Sequence, residues 1–235
     1  PVDGGYYWNA TRVIEGTINE FPYFSFIHAD LHAHVVAIPL KIFILVAILR
    51  IWRGERTYMI ALPFALFALF ATNSWDYPIM LLACLIAAAA MRDKKLALVA
   101  ISSALPVAAL YASMNTPAAK IEFIDARSDA LQFLMYAAFP LALAYAFASN
   151  RKIVVYATPL AVLVYFVSPV LALLLPLTIS AAYGIYKRDL SSAIVLAGCL
   201  ALVIPEFVAI ESRMNTVFKF YLAAWILLSL PACLN

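Results

Sequence analysis

The sequence predicts an all-α fold, a polytopic integral membrane helical bundle of about nine transmembrane helices with an interfacial segment at its N-terminal end. Three observations predict it. Hydrophobic residues fill 66 % of the 235 positions and charged residues only 12 %, and the mean hydropathy of +0.94 lies far outside the range of soluble domains. Apolar stretches close to the roughly 20 residues that a bilayer crossing needs follow one another from residue 35 onward. The short polar connections between them alternate between basic and acidic.

In chain order, residues 1–34 read as an outer loop. They open with Pro1-Val2-Asp3-Gly4-Gly5 and no initiator Met, so the expectation is an N-terminally truncated fragment lacking at least one transmembrane helix. Tyr6-Tyr7-Trp8 and Phe21-Pro22-Tyr23-Phe24 have the aromatic density of a membrane–water interface. An interfacial helix over 10–19, stopped before Pro22, is expected between them. Apolar spans follow at 35–52, 57–72, 77–91, 96–114, 130–148, 152–167, 169–186, 190–209 and 217–234. Pro39, Pro63, Pro106, Pro140, Pro159 and Pro176 lie inside them, which predicts kinks and not breaks. With no linker, low-complexity block or repeat, residues 1–235 form a single membrane domain.

The basic connections hold Arg50, Arg53, Arg56, Arg92, Lys94, Lys95, Arg151, Lys152, Lys187 and Arg188, which the positive-inside rule assigns to the cytoplasm. The other set holds all three His and ten of the thirteen acids. An integral protein of the cell membrane with an extracytoplasmic working face is therefore expected. A net charge of +3 in scattered clusters gives no nucleic-acid stripe, and the first partner is the lipid bilayer. Cys84, Cys199 and Cys233 sit in apolar runs without metal spacing and read as core residues.

The densest chemistry is at His28, Asp30, His32 and His34, at the border of the first span. Titratable groups there are costly to hold and point to function. In an extended chain all four face one way and could ligate a divalent ion. In a helix His28 pairs with His32 and Asp30 with His34. Asp30 can also serve simply as a helix cap. For that ligand set Mn or Zn suits better than Mg. A second group is Asn73, Trp75 and Asp76, either a tight turn or a sugar-stacking and hydroxyl-binding pair. The third is Arg213, Asn215 and Lys219, which fit a snorkelling anchor or a phosphate site.

These stretches carry a resemblance. Trp8-Asn9-Ala10-Thr11-Arg12-Val13-Ile14, Ile18-Asn19-Glu20-Phe21-Pro22, Asp30-Leu31-His32-Ala33-His34, Asn73-Ser74-Trp75-Asp76-Tyr77-Pro78 and Arg213-Met214-Asn215-Thr216-Val217-Phe218-Lys219-Phe220-Tyr221 resemble the prokaryotic "YYY" family of polytopic membrane proteins, a domain of unknown function. That family is in turn similar to the glycosyltransferase-C superfamily. The resemblance implies an inverting, membrane-embedded glycosyltransferase that uses a polyprenyl-phosphate sugar donor and an acceptor of unstated identity, with an outer-face carboxylate as general base. Asp30, or else Glu20, is the expected base. Arg213 and Lys219 are expected to stabilise the leaving phosphate, with Arg12 in reserve, and His32, His34, Asn73, Trp75, Asp76 and Asn215 to bind substrate. The alternatives are a transporter or flippase of a lipid-linked anion, which would place ionisable groups near mid-membrane, and a metal-dependent membrane hydrolase.

Overall fold

The computed structural model describes residues 5, 9–29, 31–114, 117, 119–148 and 150–234. Its elements are α1 (Pro22–His28), α2 (Ala33–Trp52), α3 (Tyr58–Thr72), α4 (Asp76–Met91), α5 (Lys94–Ser102), α6 (Ala104–Ser113), β1 (Ile121–Phe123), α7 (Ala130–Ala148), α8 (Arg151–Val164), α9 (Pro169–Tyr186), α10 (Leu190–Val203), β2 (Val208–Ile210), α11 (Arg213–Ser229) and α12 (Pro231–Leu234), with a 3-10 turn at Ile204–Glu206. Each predicted apolar stretch lies largely on helix, the one at 190–209 ending in the 3-10 turn and β2. Among the described residues, four helical stretches are long and apolar enough to cross a membrane, namely Ala33–Trp52, Lys94–Ser113, Ala130–Phe147 and Pro169–Tyr186. Tyr58–Thr72, Asp76–Met91 and Leu190–Glu206 are apolar but shorter.

Polar residues fix the helix starts. Asp93, Asn150 and Asp189 accept N–H groups from the first turns of α5, α8 and α10, and Ser168 and Ser212 do so for α9 and α11. Two of the three acids in the basic connections are thus caps. The core lies where α4, α10 and α11 meet, and small residues let their backbones approach: a Cβ on Gly198 would stand 2.8 Å from Leu228. The outer surface is apolar too. Phe64, Leu105, Tyr156 and Phe166 are exposed, as expected where the surrounding solvent is lipid.

The structure corrects two expectations. The helix over 10–19 does not form: Gly16 turns at a φ of 68°, and the side chains of Thr17 and Asn19 bond the backbone at Ile14, which competes with helix. Pro22 instead opens α1, where its missing N–H is no loss. The span at 96–114 keeps helical angles through Ser103 but loses one ladder bond there, because Pro106 cannot donate to the carbonyl one turn back, which is the kind of kink expected of an internal proline. The fold is also not purely helical. β1 and β2 pair antiparallel, Ile121 with Ile210 and Phe123 with Val208, and tie the connection before α7 to the segment before α11. Cys84 and Cys199 are buried free thiols; the Cys233 side chain lies outside the described ones.

Candidate functional site

The connections gather by charge class. At one end Arg56 pairs with Asp93 and Arg50 with Glu55. At the other end, the N-terminal loop, the 73–76 turn, the ribbon and the start of α11 come together. Gln132 accepts from the Glu15 N–H at 3.1 Å, and Arg213 donates to the Glu15 carbonyl at 3.4 Å.

At this second end the sequence-predicted residues fall into two clusters. The first is built around His34, 2 % exposed in the first turn of α2. Its Nε2 is 3.1 Å from Glu20 Oε2, and Lys219 Nζ is 3.4 Å from its Nδ1. An ammonium has only donors, so Nδ1 accepts and the ring proton sits on Nε2, facing the carboxylate. Phe218 packs edge-on against the ring. Glu20 also accepts from the Ser25 hydroxyl at 3.1 Å, and its backbone carbonyl accepts from Tyr136 at 3.0 Å. Burial would raise the Glu20 pKa, but the hydrogen bonds from His34 and the Ser25 hydroxyl and the Lys219 charge outweigh it and hold the group below its ordinary 4.5. Glu20 is therefore an ionised carboxylate at neutral pH, with 18 % of its side chain exposed.

Deeper in the same cluster, Lys41 Nζ lies 2.8 Å from Asp76 Oδ2, both side chains 1 % exposed. Asn73 donates its amide to that oxygen at 2.8 Å. The 73–76 stretch is thus a turn and a polar site at once. Sequence reasoning passed over Lys41. It lies eight residues, about 12 Å, inside α2, and a lone charge within an apolar span was the available signal.

The second cluster surrounds Glu206, which is fully buried. It accepts from the Ser128 N–H at 2.8 Å, the Ser128 hydroxyl at 2.7 Å and the Tyr221 hydroxyl at 3.0 Å. Arg213 lies 3.9 Å away and donates to Ser128 Oγ at 2.9 Å. Arg213 and Lys219, six residues apart on α11, therefore serve different clusters, which the tilted ring pair of Tyr136 and Tyr221 joins, one hydroxyl bonding the Glu20 carbonyl and the other Glu206. No signal in the sequence tied Glu206 to Ser128.

Asp30 lies outside the described residues. His28, the last residue of α1, stacks on Phe24; His32 precedes α2 and meets His34 edge-on at 5.4 Å. The chain between them is neither one strand nor one helix, because α1 ends at Ala29 with a φ of 54° and α2 starts at Ala33. Both nitrogens of His34 are engaged, and among the described residues no group of three His, Cys, Asp or Glu side chains could hold a metal ion. The expected Mn or Zn thus finds no ligand set among those residues. Arg12 bonds Thr11 and Asn215 is exposed one turn above Lys219.

Trp75 faces away from the polar cluster. With Ser74, Pro78, Tyr111, Met114 and Phe220 it lines a mostly apolar groove of about 800 Å³. A second hollow of about 400 Å³ shares Pro78 and Phe220 and continues along α4 to Leu85. The 73–78 turn is the wall between the two environments: Asn73 and Asp76 point to the charges, Ser74, Trp75 and Pro78 to the groove.

A model of the family described as uncharacterized membrane protein (DUF2298) matches residues 2–228. No curated protein and no solved structure matches the chain.

Proposed function

The chain belongs to that family of membrane proteins, and from this premise we propose that it is an inverting glycosyltransferase of the glycosyltransferase-C kind, taking a sugar from a polyprenyl phosphate at the extracytoplasmic face of a bundle crossed nine times. The observation that carries the reading is Glu20, an ionised and partly exposed carboxylate, linked through His34 to the ammonium of Lys219. Glu20 accepts the proton of the acceptor hydroxyl. The acceptor oxygen attacks the anomeric carbon from the side opposite the phosphate, the bond from that carbon to the phosphate oxygen breaks, and the lipid phosphate leaves with its electron pair. Lys219 offsets the charge that develops there. Asp76, tied to Lys41 and Asn73, is not free to act as base. Arg213, tied to Ser128 and Glu206, fixes the start of α11. The apolar groove beyond Trp75 takes the donor chain, so the phosphate crosses the 73–78 turn.

Lys41 and Asp76 inside the helices also favour the alternative of a flippase. Both readings are tested with the protein in liposomes holding a polyprenyl-phosphate sugar. Transfer to a soluble or lipid acceptor with inverted stereochemistry, lost in Glu20→Gln, is the expected result. Transbilayer movement of the intact donor without transfer would replace the enzyme by the flippase.

A further inference from the structure

Asp76 is a buried carboxylate held by one ammonium and one amide. Lys41 reaches it from α2 at 2.8 Å, and Asn73 adds an amide at 2.8 Å. Lys219 of α11 comes to the same face of α2, with its Nζ 3.4 Å from the Nδ1 of His34, and His34 stands two turns before Lys41 on that face. Lys219 stays partly exposed there. A buried ion pair seldom stabilises a fold more than apolar residues of the same volume would. An ammonium and a carboxylate held among apolar helices therefore call for a use beyond stability.

Resting on the reading of Lys219 as the cation for the donor phosphate, we propose that Lys41 is a positioning residue that occupies Asp76 and so keeps the Lys219 ammonium turned toward the open end of the site, available to the phosphodiester of the donor and to the lipid phosphate monoester that it leaves. Removing Lys41 leaves Asp76 buried with only the Asn73 amide, an uncompensated charge. The cation proposed to answer it is Lys219, whose flexible four-carbon stem allows its head to leave His34 and turn toward Asp76. The cation would then be withdrawn into the helices and its pairing with His34, and through it with Glu20, lost. Lys41 touches no substrate in this scheme; it acts by denying Lys219 a competing partner.

The test follows the reactivity of Lys219, which needs no knowledge of the sugar. Whole protein in nanodiscs is acylated with a water-soluble amine reagent, and modification at Lys219 is quantified by mass spectrometry. In Lys41→Met it is expected to fall about tenfold or more, because only side chains not paired with Asp76 remain reactive. In the Lys41→Met/Asp76→Asn double variant it returns to the wild-type level, and in Lys41→Arg it is retained. A monodisperse Lys41→Met protein with unchanged Lys219 labelling, or a double variant without recovery, overturns the proposal. Should Lys41→Met not fold, Asp76→Asn decides: labelling at or above wild type supports the proposal, and loss of labelling shows that Asp76 holds Lys219 in place and overturns it. Binding of polyprenyl monophosphate in the nanodisc and of inorganic phosphate is measured beside the labelling. A response of the first alone identifies a lipid-borne ligand and of both a soluble one, each supporting the proposal. Labelling that responds while neither phosphate does sinks the donor role of Lys219 and leaves its positioning by Lys41 standing.

Discussion

His34 and Glu20 are 14 residues apart, on α2 and on the loop before α1, and meet at 3.1 Å with the His34 ring 2 % exposed. Because the other ring nitrogen accepts from Lys219, one imidazole orients both the carboxylate and the ammonium on which the proposed chemistry depends. A fixed carboxylate beside a fixed cation is the kind of preorganisation that a charge-separating transfer uses.

Glu20→Gln tests the base directly. Glutamine keeps a carbonyl oxygen for the His34 N–H and the Ser25 hydroxyl but cannot take a proton, so folding should survive. Transfer is expected to fall on the order of 100-fold to 10,000-fold, the range of a lost general base. Turnover in matched membranes is the measurement, with Asp30→Asn beside it, since Asn caps a helix about as well as Asp. An active Glu20→Gln protein with an inactive Asp30→Asn one would pass the role to Asp30.

Acid stability should carry the signature of the same residue. Burial acts to raise the Glu20 pKa, but His34, Ser25 and Lys219 bring the net value below 4.5 in the folded state. A depressed folded value means that its stabilising contribution is complete above the unfolded value and disappears as pH falls through the folded one. The unfolding midpoint in detergent should thus change little between pH 8 and pH 6 on this account and drop below about pH 4.5. The drop should be smaller in Glu20→Gln; an equal drop would place the acid sensitivity elsewhere.

Glu206→Gln is expected to act on stability. Its carboxylate accepts three hydrogen bonds while fully buried, and an amide that keeps its oxygen on the Ser128 N–H turns its NH2 toward two hydroxyls that donate here, one of which already accepts from Arg213. The cost of such a mismatch is about 1–3 kcal/mol, and each kcal/mol lowers the midpoint of a chain this size by roughly 2–4 °C. Differential scanning in detergent measures it, and a midpoint within a degree of wild type would contradict the account of this node.

Much of the fold was legible because lipid forces each crossing segment to satisfy its own backbone, so apolar length alone marks helices. The ribbon was not legible: strands of three residues owe their pairing to a partner far along the chain, Ile121 with Ile210, and leave no local period. The helix expected over 10–19 lost to side chain–backbone bonds at Thr17 and Asn19. At the site, Glu20, His34, Asn73, Asp76 and Lys219 could be named because polar residues at span borders are costly. The grouping of Arg213 with Lys219 failed for a simple reason. Six residues at roughly 100° each turn two side chains to different sides of a helix.

The topology has its own test. The contacts that gather connections by charge class, Arg56 with Asp93 at one end and Arg213 with Glu15 at the other, imply that Ser74 lies on one membrane face and Arg53 and Lys94 on the opposite one. All three are exposed. In whole cells a single Cys at Ser74 should react with an impermeant thiol reagent, and one at Arg53 or Lys94 only after lysis. The reverse pattern would put Glu20 on the cytoplasmic side and remove the proposed donor from reach.

Lys219 and Arg213 should separate into a rate effect and a stability effect. Lys219 is partly exposed and contacts only His34 and the ring of Phe218 among the described polar and aromatic groups, so Lys219→Ala removes little packing. On the proposed mechanism it removes one preorganised charge, worth on the order of 100-fold in transfer. Lys219→Arg should also be slower, because a planar fork does not reproduce a compact point charge. Arg213 spans Ser128, Glu206 and the Glu15 carbonyl at once, a reach that a lysine cannot copy. Arg213→Lys should therefore lower the unfolding midpoint while the protein that remains folded transfers sugar at nearly the wild-type rate. Turnover per folded molecule, with folded fraction measured on the same membranes, distinguishes the two. A slow but stable Arg213→Lys protein would return the phosphate to Arg213, and unchanged rates in both Lys219 variants would mean that the donor is held by another cation.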